Sequence, residues 1–104
     1  MASLEYGKFS IAFSSGCGAL TSVMHLIKSG EHVIVCDDVY GGTQRYLRLF
    51  SEAHYGIQVE FVDMTNIDNI KNAIKENTKL IWVETPTNPT LKLIDLEAVA
   101  NLGK

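Results

Sequence analysis

Residues 80–90 read LIWVETPTNPT, an apolar run followed by a polar turn that contains two prolines. The four apolar residues at 80–83 are typical of a parallel strand buried on both faces. Proline fixes its own φ and has no N–H to donate to a sheet, so Pro86 and Pro89 end the strand and stiffen the turn. Because ligands of open α/β sheets bind where strands end, the turn is a predicted binding site. The alternative is an ordinary turn, since Pro and Asn are common loop residues.

Three earlier apolar runs, at residues 9–13, 33–36 and 59–62, predict three more strands. Between and after these runs, apolar residues recur at intervals of three and four, which indicates helices that bury one face. The second of these helices is predicted over residues 44–53, with Arg45, Arg48 and Glu52 in solvent. The inward residues are Ala19, Leu20, Val23, Met24 and Ile27 in the first helix, Tyr46, Leu47 and Phe50 in the second, Ile67, Ile70, Ala73 and Ile74 in the third, and Leu96, Val99 and Ala100 in the fourth.

Capping residues predict where the helices begin and end. Glycine ends helices because it adopts the left-handed conformation easily, and Asp or Thr accepts hydrogen bonds from the first helical N–H groups. The predicted caps are Gly30 and Gly56 at the ends of the first two helices, Thr65 with Asp68 at the start of the third, and Asp95 at the start of the fourth. The order β-α-β-α-β-α-β-α predicts a three-layer α/β fold with a mostly parallel sheet and right-handed crossovers.

Composition and length limit the class of protein. The 104 residues fit one domain, 1–104, and a content of 46% hydrophobic and 20% charged residues is ordinary for a globular protein. A net charge of −3 without a Lys/Arg cluster argues against nucleic-acid and anionic-membrane partners. Without a membrane-length apolar run or a signal-peptide pattern, a cytoplasmic location is expected. Cys17 and Cys36 lack metal-ligand spacing, so we predict no metal site and two reduced, buried thiols.

Residues 37–43 read DDVYGGT, and together with residues 84–90 they carry a resemblance to a known family. Both motifs resemble the pyridoxal-phosphate-dependent enzymes of cysteine and methionine metabolism, and the similarity extends from about Leu4 to Lys104. The resemblance implies the amino-terminal part of the large cofactor domain of a fold-type I (aspartate aminotransferase-like) enzyme. Within the family the chain looks most like the lyases that eliminate at the γ-carbon of cystathionine and release cysteine. The γ-synthases, which share the Tyr-Gly-Gly-Thr stretch, are the alternative.

Residues 14–18, SSGCG, lie between a predicted strand and a predicted helix. The free N–H groups and the dipole at a helix N-terminus favour a phosphate, and small residues let it approach the backbone, although a purely structural turn has the same composition. By resemblance, the N–H groups of Gly16 and Cys17 would hold the cofactor phosphate. Family members usually have a bulky aliphatic residue at position 17 and alanine at position 18. Gly18 therefore weakens the predicted helix start, because glycine disfavours helix.

The resemblance assigns the other site roles to residues that follow strands. Tyr40 would stack on the pyridine ring of the cofactor and contact substrate, unless its hydroxyl merely anchors the loop. Asn88 would hydrogen-bond the ring hydroxyl. Glu84 would be a further cofactor contact, with the capping of a neighbouring loop as its alternative. Arg45 would lie near the substrate, although an arginine on a helix is usually just solvated.

The chain contains no residue that matches the catalytic lysine of the family. That lysine forms a Schiff base with the cofactor, and an acid pairs with the pyridine nitrogen; the resemblance places both beyond Lys104. It places a Tyr and an Arg from a neighbouring subunit before Met1, which implies a homo-oligomer, expected to be a tetramer. We therefore expect an active full-length enzyme but no elimination by residues 1–104 alone. A non-catalytic α/β module is the alternative.

Two structural expectations follow from the sequence and the family resemblance. At least one of the bonds Thr85–Pro86 and Asn88–Pro89 is predicted to be cis, because two prolines lie close together at a strand end. The resemblance implies that the strand at residues 9–13 pairs, in the family, with a late strand that is absent from this sequence. We therefore expect it to fray or to pair with a substitute neighbour.

Overall fold

The computed structural model describes residues 1–103, and its centre is a parallel sheet of three strands. These are β1 (His32–Cys36), β2 (Gln58–Val62) and β3 (Thr78–Trp82), in the order β2-β1-β3. His32 pairs with Gln58 on one side and with Thr78 on the other, and the register shifts by one residue between His32 and Val33 on the β3 side. Three of the four predicted strands are thus confirmed within one or two residues at each end, as is the parallel α/β fold.

The central strand β1 is buried at all five positions. Successive side chains of a strand point to opposite faces, so both faces of the sheet are covered at its centre. The core consists of Leu20, Met24, the apolar residues of β1, Val39, Leu47, Ile57, Met64, Ile70, Ala73, Ile94 and Val99. No helix in the described part of the chain is long and apolar enough to cross a membrane.

Residues 9–13 have no regular secondary structure, so the strand predicted there does not form and the expectation that it frays in this chain is confirmed. Within residues 1–103 the three strands of the sheet pair only with one another, so the backbone of residues 9–13 has no ladder to join. Phe9 and Ile11 are consequently 81% and 78% exposed. An apolar run without a neighbouring strand does not form a stable strand by itself.

Helix α1 (Gly16–Met24) begins where the sequence predicts, despite Gly18. It ends earlier than predicted, because the N–H of His25 bonds to Thr21 and Val23 and the N–H of Leu26 bonds to Val23, which tightens the chain into turns. Gly30 therefore does not cap the helix. It lies in a turn with φ of 83°, a conformation that glycine adopts at little cost.

The next helical region starts at Gly41, three residues before the predicted start. It consists of α2 (Gly41–Tyr46), a π-helical segment (Leu47–Glu52) and α3 (Ala53–Tyr55), and Gly56 ends it in the left-handed conformation, as predicted. The wider π-helical turn moves the inward face, so Leu47 is buried while Phe50, predicted to point inward, is 50% exposed.

Helix α4 (Ile67–Ala73) is capped by Asn66, whose side chain accepts a hydrogen bond from the Asp68 N–H. The prediction of Thr65 as the cap is wrong, because its N–H and hydroxyl both donate to the Asp63 carboxylate. Helix α5 (Leu96–Leu102) is capped by Asp95, as predicted. The short helices leave three residues of the predicted apolar stripes exposed: Ile74, Leu96 and Ala100.

Candidate functional site

A cleft of about 470 Å³ opens where β1 and β3 end and where α1 and α2 begin. This edge is where ligands of parallel α/β sheets bind. The cleft brings together four residues that the sequence predicts for the site, Gly16, Cys17, Tyr40 and Glu84, and it is completed by Ser15, Thr43 and Trp82. Arg45 and Asn88 are exposed side chains that do not line it.

The start of α1 lines this cleft and has two N–H groups without an acceptor among the described residues, those of Gly16 and Cys17. The Ser15 hydroxyl accepts from the Gly18 N–H at 3.1 Å, and the Ser15 carbonyl accepts from the Ala19 N–H. Among the described residues, no acceptor bonds to the N–H of Gly16 or Cys17. A Cβ on Gly16 would meet no atom within 4 Å. The predicted position of both N–H groups at a helix N-terminus is confirmed, and the space beside them fits an anion.

The Glu84 carboxylate ties the end of β3 to the start of α2. One oxygen accepts from the Tyr40 N–H at 2.9 Å, and the other accepts from the Thr43 hydroxyl at 2.8 Å and from the Trp82 indole N–H at 3.1 Å. A carboxylate at a helix N-terminus also interacts favourably with the helix dipole. Glu84 thus caps a neighbouring loop, which was the alternative to a cofactor contact. Its partners Tyr40 and Thr43 lie more than 40 residues earlier in the chain.

The Tyr40 ring lies over the first turn of α2 and is 52% exposed. A Cβ on Gly42 would come within 2.6 Å of Cε1 of this ring and within 3.1 Å of the Cys17 sulfur. Real side chains do not approach so closely, so glycine at position 42 is what allows the ring to lie between the two helix starts. An aromatic face at this place fits a flat, apolar ring.

The turn after β3 is held by carboxylates that follow β1. The Asp38 carboxylate accepts hydrogen bonds from the Thr87 hydroxyl at 2.5 Å, from the Thr90 N–H at 2.9 Å and from the Thr90 hydroxyl. The Thr87 and Thr90 donors hold the pKa of the Asp38 carboxyl below its ordinary value. Lys92 forms an ion pair with Asp37. Both prolyl bonds of this turn are cis, which confirms the prediction.

The two cysteines differ in their surroundings. Cys36 is buried, its sulfur accepts from the Glu84 N–H at 3.3 Å, and burial raises the pKa of its thiol. Cys17 is half-buried and lines the cleft, so the prediction of two buried cysteines is right only for Cys36. Both thiols are free, as predicted.

Sequence reasoning missed three residues that build the site. Thr43 and Asp38 belong to the quoted DDVYGGT stretch, but that stretch does not reveal which distant groups they bind. Trp82 precedes Glu84 by two residues, and the period of two along a strand could have placed both side chains on one side. The missing signal was therefore the partner across the sheet, not the residue type.

Comparisons with known proteins agree with this geometry. The model of the family described as Cys/Met metabolism PLP-dependent enzyme matches residues 1–104. Cystathionine gamma-lyase of Dictyostelium discoideum is 46% identical over 101 residues, which is 97% of this chain and 26% of that protein. A protein named probable cystathionine gamma-synthase, from Herpetosiphon aurantiacus, is 45% identical over 104 residues, all of this chain and 32% of that protein.

The solved structures give the same result. The crystal structure of cystathionine gamma-lyase from Lactobacillus plantarum complexed with L-serine superposes with a TM-score of 0.88 at 42% identity, over 97% of this chain and 26% of that one. The chain therefore spans about a quarter to a third of the length of the relatives named here. It belongs to the family of pyridoxal-phosphate-dependent enzymes of cysteine and methionine metabolism.

Proposed function

We propose that this chain forms part of the pyridoxal-phosphate site of an enzyme that cleaves cystathionine at its γ-carbon and releases cysteine. One observation carries the proposal: unused N–H groups of Gly16 and Cys17 and the exposed ring of Tyr40 line one cleft at the carboxyl ends of the strands. An anion site next to an aromatic face matches a phosphorylated aromatic cofactor. The 46% identity to a cystathionine gamma-lyase supports the choice of substrate.

Each residue of the site has a distinct proposed role. The N–H groups of Gly16 and Cys17 bind the cofactor phosphate, because a helix N-terminus favours an anion. Tyr40 stacks on the pyridine ring, and Asn88 donates a hydrogen bond to the ring hydroxyl. Glu84 acts indirectly, since it fixes the backbone of Tyr40. When bound, pyridoxal phosphate supplies an electron sink for the carbanions of the elimination.

Arg45 is proposed to lie near the substrate. It is exposed on α2, and its guanidinium is about 4.0 Å from where a Cβ on Gly41 would lie, beside the start of the helix. The proton transfers that the family performs with a lysine are not assigned to any residue of this chain.

A titration of the cleft tests the cofactor proposal. The sequence has one tryptophan, and Trp82 lines the cleft, so its fluorescence reports on ligands there. Pyridoxine 5′-phosphate is the preferred probe, because it has an alcohol in place of the aldehyde and does not react with surface lysines. We expect saturable quenching, with an affinity about tenfold above that of pyridoxine without phosphate. Equal affinities, or no saturable quenching, would contradict a phosphate site.

The substrate proposal needs a separate assay on a full-length protein that contains this chain. Release of cysteine from cystathionine in the presence of pyridoxal phosphate is the expected result. The identity to a probable cystathionine gamma-synthase favours synthesis as the second candidate. Formation of cystathionine from cysteine and an activated four-carbon amino acid, without cysteine release, would support that candidate instead.

A homo-oligomer, specifically a homotetramer, is proposed for the same full-length protein. The support is the family resemblance, in which a neighbouring subunit supplies a Tyr and an Arg to the phosphate. Sedimentation equilibrium at micromolar concentration should give the mass of four chains, and a monomer would contradict the proposal. The cytoplasmic location stays a prediction.

A further inference from the structure

We propose that Asp38 is a positioning residue, which holds the turn at residues 87–92 against the end of β1 and thereby fixes Asn88 for its contact with the cofactor ring. The inference rests on the proposed function, because it assigns Asn88 a cofactor contact. Asp38 itself does not line the cleft. Its effect on the site is therefore transmitted through the turn.

The contacts of one carboxylate oxygen carry this inference. Oδ2 of Asp38 accepts from the Thr87 hydroxyl, the Thr90 N–H and the Thr90 hydroxyl. Thr87 directly precedes Asn88, and Thr90 follows it by two residues. Both sides of Asn88 are thus bound to one atom, and this atom belongs to the segment that follows the central strand.

The turn is also closed by its own hydrogen bonds. The Thr87 N–H donates to the Lys92 carbonyl at 3.0 Å, and the Lys92 N–H donates to the Thr87 hydroxyl oxygen at 2.8 Å. Thr87 is 1% exposed, whereas Asn88 is exposed. The side chain of Asn88 is therefore free to reach a ligand while the backbone that carries it is fixed.

The Glu84 carboxylate also links the segment after β3 to the segment after β1. Asp38 precedes Tyr40 by two residues, and the Tyr40 N–H donates to the Glu84 carboxylate. Asp38 reaches from the end of β1 to the turn after β3, and Glu84 reaches from the end of β3 to the start of α2. These two links fix the Tyr40 ring and Asn88 relative to each other, as recognition of one flat ligand requires.

The arrangement requires an ionised carboxylate, because three donors converge on one oxygen. The lowered pKa of Asp38 agrees with this requirement. An Asp38→Asn variant preserves the size of the side chain but removes its negative charge, and a neutral amide oxygen is a weaker acceptor for three donors than a carboxylate oxygen. It therefore weakens the link without creating a cavity.

Asp63→Asn is a matched control. Asp63 follows a strand, as Asp38 does, accepts two hydrogen bonds from one threonine and lies 3.6 Å from Lys92. Both variants remove one negative charge from the surroundings of Lys92. Only Asp38 bonds to the residues that flank Asn88.

The experiment measures ring-hydroxyl recognition in the chain by Trp82 fluorescence. Wild type, Asp38→Asn and Asp63→Asn are titrated with pyridoxine 5′-phosphate and with its 3-deoxy analogue, which lacks the ring hydroxyl. We expect wild type and Asp63→Asn to prefer the hydroxyl form by about tenfold. Asp38→Asn should lose this preference and bind both probes alike. A general loss of stability lowers both affinities together, so it does not change their ratio.

The outcomes separate this inference from the proposed function. If Asp38→Asn keeps the wild-type ratio, the positioning role is wrong although the cofactor site stands. If wild type binds neither probe or does not distinguish them, the proposed cofactor contact fails. In that case the backbone rigidity of the turn tests the positioning role. A lower ¹⁵N heteronuclear NOE at Asn88 in Asp38→Asn, but not in Asp63→Asn, supports this role. Unchanged values in both variants overturn it.

Discussion

The amino-terminal segment, residues 1–13, and the strand-end segments, residues 37–43 and 83–94, differ in how their irregular backbone is held. In the amino-terminal segment the backbone hydrogen bonds join residues within 1–7, for example the Gly7 N–H and the Ala2 carbonyl. In the strand-end segments, carboxylates join residues more than 40 positions apart, such as Glu84 with Thr43. Irregular chain is thus fixed where polar side chains supply distant partners, whereas apolar residues alone require a neighbouring element.

The largest loss of stability is expected from a substitution of Glu84, in the strand-end segments. Glu84→Ala removes the acceptor of three hydrogen bonds and leaves the Trp82 indole N–H and the Thr43 hydroxyl without their partner. We expect a loss of about 2–4 kcal/mol in the free energy of unfolding, measured in urea. Glu5→Ala, in the amino-terminal segment, is the control and should change stability by less than about 0.5 kcal/mol. Equal losses of stability for the two substitutions would contradict the view that distant polar partners fix the strand-end segments more strongly than the amino-terminal segment.

Acid pH should weaken the same segments through Asp38. Its pKa is lowered in the folded protein, so the carboxylate contributes stability at pH values above the ordinary value of 3.8 and loses it as the pH falls through the lower, folded value. The difference in stability between wild type and Asp38→Asn should therefore be full near pH 6 and decline below pH 4. Unfolding curves at several pH values measure it. A difference that is constant from pH 6 to pH 2 would contradict the assignment.

Gly42→Ala should disturb the ring position more than the fold. The added Cβ would lie 2.6 Å from the Tyr40 ring, but this ring is half exposed and can rotate away. Loss of the stacking face should weaken binding of pyridoxine 5′-phosphate by about two- to tenfold. Gly7→Ala, whose Cβ would meet only ordinary contacts, is the control in the amino-terminal segment. Unchanged binding by Gly42→Ala would mean that Tyr40 does not stack on the ligand.

The smallest effect is expected where the amino-terminal segment meets α1. Gly18 lies in the first turn of the helix, and a Cβ there would be 3.5 Å from the Ser15 hydroxyl and 3.9 Å from Phe13, which are ordinary contacts. Gly18→Ala should raise the free energy of unfolding by about 0.5–1 kcal/mol, because alanine favours helix. A decrease in stability would show that this junction is more tightly packed than the distances indicate.

The sequence predicted the parts of the fold that depend on local pattern. Residues 33–36 are continuously apolar and form the buried central strand, and Asp95 caps a helix as its position indicates. Residues 9–13, which are apolar except for Ser10, do not form a strand, because a strand depends on neighbours that no local pattern contains; only the family resemblance predicted that this segment would fray. Helix α1 ends at Met24 and not near Gly30 for a similar reason. The N–H groups of His25 and Leu26 form turns that the apolar periodicity does not predict.

The candidate site was predictable by residue type but not by contact. Gly16, Cys17, Tyr40 and Glu84 line one cleft, as the resemblance implied. Their roles toward a ligand stay predictions. The link made by Asp38 was not predicted, and capping by Glu84 was predicted only as an alternative and without its partners, because both links join segments that are distant in sequence and meet only through the order of the strands.

The central claim is that the start of α1 binds a phosphate through backbone N–H groups, and Gly16→Pro tests it most directly. Proline at the first helical position is compatible with a helix and replaces the N–H by a ring carbon that cannot donate, and Ser15 already has the extended conformation that precedes proline. Trp82 fluorescence should show about tenfold weaker binding of pyridoxine 5′-phosphate and unchanged binding of pyridoxine. Equal weakening of both ligands, or of neither, would contradict the claim.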